Sequence, residues 1–151
     1  MYSGPLFIAS DHGGFQLKKR LVRYFENELN INFKDLGPAE FVEDDDYPDY
    51  AFRLTEQVLE KKARGILICK NGIGVCIAAN KVAGIRAGIG YNTTVAKTMV
   101  QDDNTNVLCL AATTLSEEYA LAIVKHWLST DYSNESRHNR RLAKITEQTG
   151  L

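Results

Sequence analysis

Short apolar runs alternate with amphipathic segments along this chain. The runs at 5–10, 65–69 and 106–112 are apolar without alternation, which is typical of strands covered on both faces. Two further strands are predicted at 31–37 and 84–90, and the second is weaker because its three glycines lower the β-propensity. Apolar residues with helical spacing predict helices over the ranges 15–29, 48–62, 72–81, 93–102, 117–128 and 137–149.

The apolar positions also predict which face of each helix is buried. In the first helix this face consists of Leu17, Leu21, Tyr24, Phe25 and Leu29. In the third helix we expect it at Ile73, Cys76, Ile77 and Asn80. Two helix starts carry predicted N-caps, Ser116 in one case and either Asn92 or Thr93 in the other.

Strands that alternate with amphipathic helices predict an α/β sandwich around a five-stranded parallel sheet. Right-handed crossovers place the loops that follow the strands together at the carboxyl edge of the sheet, where open α/β sheets bind ligands. Four polar loops are expected at this edge, namely residues 11–14, 70–72, 90–92 and 113–114. The length of 151 residues fits one domain over 1–151.

Composition and charge narrow the functional classes. Apolar residues make up 44% and charged residues 25% of the chain, which is ordinary for a soluble globular protein. The formal net charge of −1 gives no basic excess for nucleic acid or an anionic membrane, and no apolar run approaches the roughly 20 residues of a membrane span. The N-terminal segment lacks the basic start of a secretory signal. Three cysteines are an odd number, so we expect free thiols in a reducing cytoplasm.

Cys69 is the strongest candidate for chemistry. A cysteine at a strand end is often a small core residue, and Cys76 and Cys109 are interpreted in that way. Cys69, however, ends a predicted central strand and precedes Gly72 and Gly74, which open a helix whose N–H groups and positive dipole end attract anions. Such a setting favours a thiolate, which can act as a nucleophile or abstract a proton. The glycines lack the other features of dinucleotide and P-loop motifs, so nucleotide binding is not expected.

Two further groups of polar residues suit a phosphorylated sugar. Asp11 and His12 follow the first strand directly, where a turn alone explains the two glycines after them but neither the carboxylate nor the imidazole. The carboxylate can accept hydrogen bonds from sugar hydroxyls, and the imidazole can donate to a phosphate or act as an acid.

Arg137 and Arg141 are four residues apart at the start of the last helix, so both guanidinium groups lie on one face and suit phosphate. A solvated basic helix start is the alternative. Basic residues there oppose the helix dipole, however, and an anionic ligand would relieve that conflict. No zinc spacing exists among the three histidines and three cysteines, so no metal site is predicted.

Five segments together resemble one family, ribose-5-phosphate isomerase B, within the wider group that includes the galactose-6-phosphate isomerase subunits. They read ASDHGGFQLK, DDYPDYA, GILICKNGIGVCIAANKVAGIRA, NTNVLCLAA and RHNRRLAKI, in this order over nearly the whole chain. Each segment alone is a weak signal, but the set is highly specific.

The resemblance implies a Rossmann-like three-layer α/β/α sandwich that works as a homodimer or a dimer of dimers. The C-terminal helix would extend to the partner subunit, and the active sites would lie at the subunit interface. The implied reaction interconverts ribose 5-phosphate and ribulose 5-phosphate in the cytoplasm through a cis-enediolate, without metal or cofactor.

The resemblance also assigns roles to residues. Cys69 matches the base that moves a proton between C2 and C1. The loop after it supplies backbone N–H groups to the enediolate oxygens, and its residues here are Lys70, Asn71, Gly72, Ile73 and Gly74. Positions that contact the substrate or its phosphate are matched by Asp11, His12, Tyr47, Arg137 and Arg141.

Several positions depart from the family pattern. Asn71 stands where a threonine commonly steadies the intermediate, and its amide can still donate a hydrogen bond. Asp102 and Asp103 stand where the family has the histidine that opens the furanose ring and the asparagine after it. Thr113 stands where an arginine often contacts the phosphate.

These departures leave questions that the sequence does not answer. Asp102, His12 and His138 are the candidates for opening the ring, and Lys70 is the candidate for the missing positive charge. The substrate could instead be a hexose 6-phosphate or another aldose phosphate, or the chain could be a sugar-phosphate-binding subunit with weakened catalysis. The presence of Cys69, Asp11 and both arginines argues against the last of these.

Overall fold

A five-stranded parallel sheet forms the centre of the molecule. The computed structural model describes residues 1–29 and 31–150. The strands are β1 (Leu6–Ser10), β2 (Phe33–Asp35), β3 (Arg64–Cys69), β4 (Ala87–Ile89) and β5 (Val107–Ala111). They lie in the order β2-β1-β3-β5-β4, and neighbouring strands are parallel. The predicted Rossmann-like α/β fold is therefore confirmed, and Cys69 ends the central strand.

Helices cover both faces of this sheet. They are α1 (Phe15–Tyr24), α2 (Tyr47–Glu60), α3 (Ile73–Ala79), α4 (Thr93–Gln101), α5 (Glu117–Leu128) and α6 (Ser136–Thr149). Alternate residues of the strands face opposite layers, because successive side chains of a strand point to opposite sides. Ile66 thus packs in the core beneath α1, α4 and α5, whereas Leu67 packs in the core beneath α2 and α3.

Two predicted helix caps are confirmed. The two edge strands are shorter than predicted. Asn92 accepts the N–H of Val95 at 2.7 Å and so caps α4, while Ser116 caps α5. β2 and β4 have three residues each and lie at the two edges of the sheet. The predicted helix over 15–29 is α-helical only to Tyr24 and continues as a π-helical turn over Phe25–Leu29.

The predicted buried face of α3 is wrong. Its buried residues are Val75, Ala78 and Ala79, whereas Ile73 and Ile77 are 49% and 56% exposed. The small side chains on the inner face let α3 lie close to α2 and to the sheet. The two isoleucines, which dominate the apolar pattern in the sequence, therefore lie on the outer face.

The last helix, α6, packs differently from the others. His138 is the one buried side chain among the residues of α6. Leu142 and Ile145 line a cavity of about 680 Å³ between α6 and the edge strand β4, and Ile145 is 59% exposed. An amphipathic helix thus leaves part of its apolar face uncovered by its own chain.

Candidate active site

Three loops meet at the carboxyl edge of the sheet, after β1, β3 and β5. The N–H of Asp11 donates to the carbonyl of Ile68 at 3.3 Å. Both the N–H and the Oγ1 of Thr113 donate to the carbonyl of Lys70, at 3.0 and 2.7 Å. Gly13 lies so close that a Cβ there would stand 3.0 Å from the Lys70 nitrogen. The Lys70 backbone therefore joins three of the four loops that were predicted to converge.

Cys69 lies at the centre of this edge, with 4% of its surface exposed. Its Sγ accepts the N–H of Gly72 at 3.2 Å and lies 3.8 Å from Asn71 Oδ1. Gly72 has φ +74°, and a Cβ on it would stand 3.1 Å from the carbonyl carbon of Leu110. Only glycine fits this turn without strain, so Gly72 is required by the backbone conformation that brings its N–H to the sulfur.

Asn71 has a structural contact in addition to any contact with a ligand. Its Oδ1 accepts the N–H of Ile73 at 3.0 Å, which satisfies one of the N–H groups at the start of α3. The Nδ2 of the same amide can then donate, as expected for a residue that replaces a threonine.

Asp11 is 5% exposed and begins the 3₁₀ turn His12–Gly14. Its Oδ1 accepts the N–H of Gly14 at 3.0 Å. Burial raises the pKa of Asp11 above its ordinary value, although the Gly14 N–H opposes this. Its carboxylate is thus held in a fixed position beside the Cys69 loop.

The imidazole of His12 is bound by a residue that the sequence analysis missed. Its Nδ1 lies 2.8 Å from Oδ1 of Asp45, and the backbone N–H of His12 donates to the same oxygen at 2.8 Å. The Asp45 side chain is 7% exposed and that of His12 is 42% exposed. The motif DDYPDYA contains Asp45, but an acidic loop of several carboxylates gives no signal for which one binds a histidine 33 residues away.

Tyr47 begins α2 and covers the start of α3. A Cβ on Gly74 would stand 2.7 Å from Cζ of the Tyr47 ring. The glycine therefore permits the ring to lie against the helix that follows Cys69. Tyr47 is 38% exposed, and its position in the wall of the site stays a prediction from the resemblance.

A second group of predicted site residues lies elsewhere. Asp102 follows α4, and its Oδ1 is 3.6 Å from Nε2 of His138 in α6. Arg137 Nε lies 3.2 Å from that same Nε2 and 2.9 Å from Oε2 of Glu135. Glu135 thus supplies a negative charge at the start of α6, where the sequence analysis expected only a ligand to do so. Asp103 lines the cavity beside α6.

The structure does not bring these two groups together within one chain. Cys69 ends β3 and Thr113 comes after β5, so both lie at the carboxyl edge of the sheet. Asp102 precedes β5, and the backbone N–H of Ser133 donates to Gln101, so α6 begins near the amino edge. A strand of six residues such as β3 separates the two edges by about 16 Å.

The other titratable groups show no metal-binding arrangement. Among residues 1–29 and 31–150, no group of three or more His, Cys, Asp or Glu side chains could hold a metal ion. All three cysteines are free thiols, as predicted, and burial raises the pKa of Cys109 well above its ordinary value. Within the same residues, no helix combines the length and apolar character needed to cross a membrane.

Comparison with known proteins identifies relatives over nearly the whole chain. Residues 6–145 match the family model described as ribose/galactose isomerase. A probable ribose-5-phosphate isomerase B of Mycoplasma genitalium is 42% identical over 142 residues, which are 93% of this chain and 92% of that protein.

Solved structures show the same relationship in three dimensions. The ribose-5-phosphate isomerase B of Mycoplasma genitalium, with bound ribulose 5-phosphate, has a TM-score of 0.91 at 39% identity and 99% coverage of both chains. The Clostridium thermocellum ribose-5-phosphate isomerase B has a TM-score of 0.91 at 35% identity and 97% coverage of both. The chain therefore belongs to the ribose/galactose isomerase family.

Proposed function

We propose that this protein is an aldose–ketose isomerase that interconverts ribose 5-phosphate and ribulose 5-phosphate, with Cys69 as the base. The observation that carries the proposal is the position of Cys69, a thiol at the end of the central strand among three converging polar loops. Family membership supports the reaction class. The Mycoplasma genitalium structure with bound ribulose 5-phosphate supports a pentose phosphate as substrate.

The proposed reaction is a proton transfer between neighbouring carbons. The thiolate of Cys69 removes the proton from C2 of the open-chain aldose, the C2–H electron pair forms a C1=C2 double bond, and the aldehyde oxygen takes the negative charge. The sulfur then returns the proton to C1, while the proton of the C2 hydroxyl passes to the C1 oxygen, so that C1 becomes a hydroxymethyl group and C2 a carbonyl. C1 is reduced and C2 is oxidised, so the electrons balance within the sugar.

The start of α3 is the proposed site of enediolate stabilisation. Donors that are fixed before the reaction stabilise developing negative charge without reorganising. In the loop from Lys70 to Gly74, the backbone N–H of Gly72 faces the sulfur, with 3.2 Å between the nitrogen and Sγ. Asn71 Nδ2 is the proposed side-chain donor, held in place because Oδ1 of the same amide binds Ile73 N–H.

We also propose that a complete site needs two copies of the chain. The expected phosphate ligands Arg137 and Arg141 lie on α6, which begins near the opposite edge of the sheet from Cys69. A second copy in a homodimer would bring its α6 to the Cys69 edge of the first. The uncovered apolar surface of α6 supports this, because Ile145 is 59% exposed.

Ring opening has two candidate locations. His12 lies on the carboxyl edge beside the Cys69 loop, whereas Asp102 and His138 lie together, with 3.6 Å between Oδ1 and Nε2. In the proposed homodimer the second pair would come from the partner copy, together with the phosphate ligands.

The test is conversion of ribose 5-phosphate to ribulose 5-phosphate by purified protein without added metal. We expect Cys69→Ala to reduce kcat by at least about 100-fold, the usual contribution of a positioned acid or base. Cys76→Ala is the matched control. This half-buried thiol lies away from the three loops and donates a hydrogen bond to the Ala87 carbonyl. Intact turnover by Cys69→Ala would overturn the mechanism.

A substrate panel tests which sugar phosphate is preferred. The changes at Asp102 and Thr113 could suit a hexose 6-phosphate such as a galactose derivative, which the family description also allows. Comparison of kcat/KM for ribose 5-phosphate and hexose 6-phosphates decides between them. Binding of sugar phosphate without turnover would instead support a binding subunit.

A further inference from the structure

We propose that Asp45 is a positioning residue that orients His12 toward the bound substrate. This inference rests on the proposed function and extends it, since His12 is one of the residues expected to contact the sugar phosphate. Asp45 lies in the loop before α2, and His12 lies on the turn after β1. The pair therefore joins two loops of the active site that are far apart in sequence.

Two hydrogen bonds fix His12 on the same carboxylate oxygen. Asp45 Oδ1 lies 2.8 Å from the backbone nitrogen and 2.8 Å from the ring Nδ1 of His12. A contact to the backbone alone would hold the turn and leave the ring free to rotate. The second contact fixes the ring, and because the Asp45 side chain is only 7% exposed, water competes weakly for this oxygen.

The contact also determines which ring nitrogen carries the proton. A carboxylate only accepts hydrogen bonds, so the proton lies on Nδ1. Nε2 of the neutral ring is then unprotonated and can accept a proton, and Nε2 of the imidazolium can donate one. With 42% of the side chain exposed at the carboxyl edge, His12 can act through Nε2 on a substrate.

Tyr50 supports Asp45 from the first turns of α2. Burial would raise the pKa of Asp45, but the His12 backbone and ring donors and the Tyr50 hydroxyl outweigh it and hold that pKa below its ordinary value. Burial and the nearby Asp45 raise the pKa of Tyr50 to about 12. Tyr50 therefore stays protonated at neutral pH, and Asp45 stays ionised because its own pKa is lowered.

The charge of Asp45 also sets the pH range of the imidazolium. The hydrogen bond to Asp45 raises the pKa of His12, and Asp11 on the same turn acts in the same direction. The neighbouring loop contributes Lys70, whose backbone contacts Gly13. A raised pKa keeps His12 protonated to higher pH, so removal of the Asp45 charge should move its titration to lower pH.

The experiment is a pH titration of the ¹⁵N-labelled protein by long-range ¹H–¹⁵N NMR, with His12→Gln used to assign the ring signals. In the wild type we expect Nδ1–H with unprotonated Nε2 at high pH. Asp45→Asn should shift the His12 midpoint to lower pH, whereas the matched control Asp44→Asn, which removes one exposed charge from the same loop, should not. Asn is nearly the same shape as Asp, and the amide spectrum reports folding.

Kinetics supply the second measurement. We expect Asp45→Asn to lower kcat/KM for ribose 5-phosphate by at least about tenfold. The alkaline limb of the plot of kcat/KM against pH should move to lower pH, as the NMR midpoint of His12 does. An Nε2–H tautomer in the wild type, or equal His12 midpoints in the Asp45 and Asp44 variants, would overturn the positioning role. The titration involves no turnover, so an inactive wild type with the expected titration would contradict the isomerase proposal and leave the His12 orientation established.

Discussion

Asp102 and His138 lie close together in the structure, and the sequence pattern did not predict this contact. Asp102 Oδ1 lies 3.6 Å from His138 Nε2, although Asp102 follows α4 and His138 belongs to α6. His138 is 4% exposed and the Asp102 side chain is 42% exposed, so the carboxylate is the member that a substrate reaches first. If the pair belongs to the proposed site, Asp102 would lie at its surface and His138 behind it.

Asp102→Asn tests whether this carboxylate opens the sugar ring. The amide keeps the shape but cannot transfer a proton, so we expect turnover of ribose 5-phosphate to fall by about 100-fold if Asp102 is the acid. Ring-opening-dependent turnover is the measurement, and Glu118→Gln, an exposed carboxylate on α5, is the control. Unchanged activity in Asp102→Asn would exclude Asp102 and leave His12 or His138.

The positions of candidate site residues were predictable where those residues end a strand or come just after one. Asp11, Cys69 and Thr113 each end up at the carboxyl edge because a parallel sheet places all strand ends there. Asp45 was not predictable, since its role depends on a contact with His12 across 33 residues. Local sequence carries no information about which of several loop carboxylates makes such a contact.

At the scale of elements, Gly72 connects the geometry of β3 to the start of α3. Its φ of +74° lies in the left-handed region, where an alanine costs roughly 1–2 kcal/mol. The added Cβ would also stand 3.1 Å from Leu110 backbone, which belongs to β5 inside the sheet and cannot move easily. Gly72→Ala is therefore expected to lower stability by at least about 2 kcal/mol and to displace the N–H that faces Cys69.

Urea unfolding at one protein concentration measures this effect. The matched control is Gly84→Ala, because Gly84 also has a positive φ of +83° but its nearest neighbour is the end of the Leu59 side chain, which can move. We expect Gly72→Ala to unfold at lower urea concentration than the control. Equal midpoints would show that the β5 backbone yields and that the turn needs glycine only for its φ.

The elements themselves were predicted better than their faces. All five strands and six helices lie where periodicity placed them, because buried strands and amphipathic helices have distinct apolar spacing. The predicted buried face of α3 was wrong, because a periodicity argument gives most weight to large apolar residues. Ala78 and Ala79 pack inward at a close helix contact, while Ile73 and Ile77 lie outside.

At the scale of the whole molecule, the predicted site residues are divided between two edges of the sheet. The Cys69 group lies at one edge, and Asp102, Arg137 and His138 lie near the other. The order of strands and helices already implies this division for Asp102, because a helix that precedes a parallel strand ends at the amino edge of the sheet. The proposed homodimer would resolve it, because each copy would supply the base to one site and the phosphate ligands to the other.

Mixing two inactive variants tests this arrangement. Cys69→Ala removes the base, and the double variant Arg137→Ala, Arg141→Ala removes the phosphate ligands, so each homodimer should be inactive. Random pairing after co-expression at equal levels makes half of the dimers mixed, and each mixed dimer has one intact site, which predicts about a quarter of wild-type activity. Light scattering measures whether the mixture is dimeric, and the activity per chain measures the recovery. If all site residues came from one chain, mixing would restore nothing, because every chain would carry a defect in its own site.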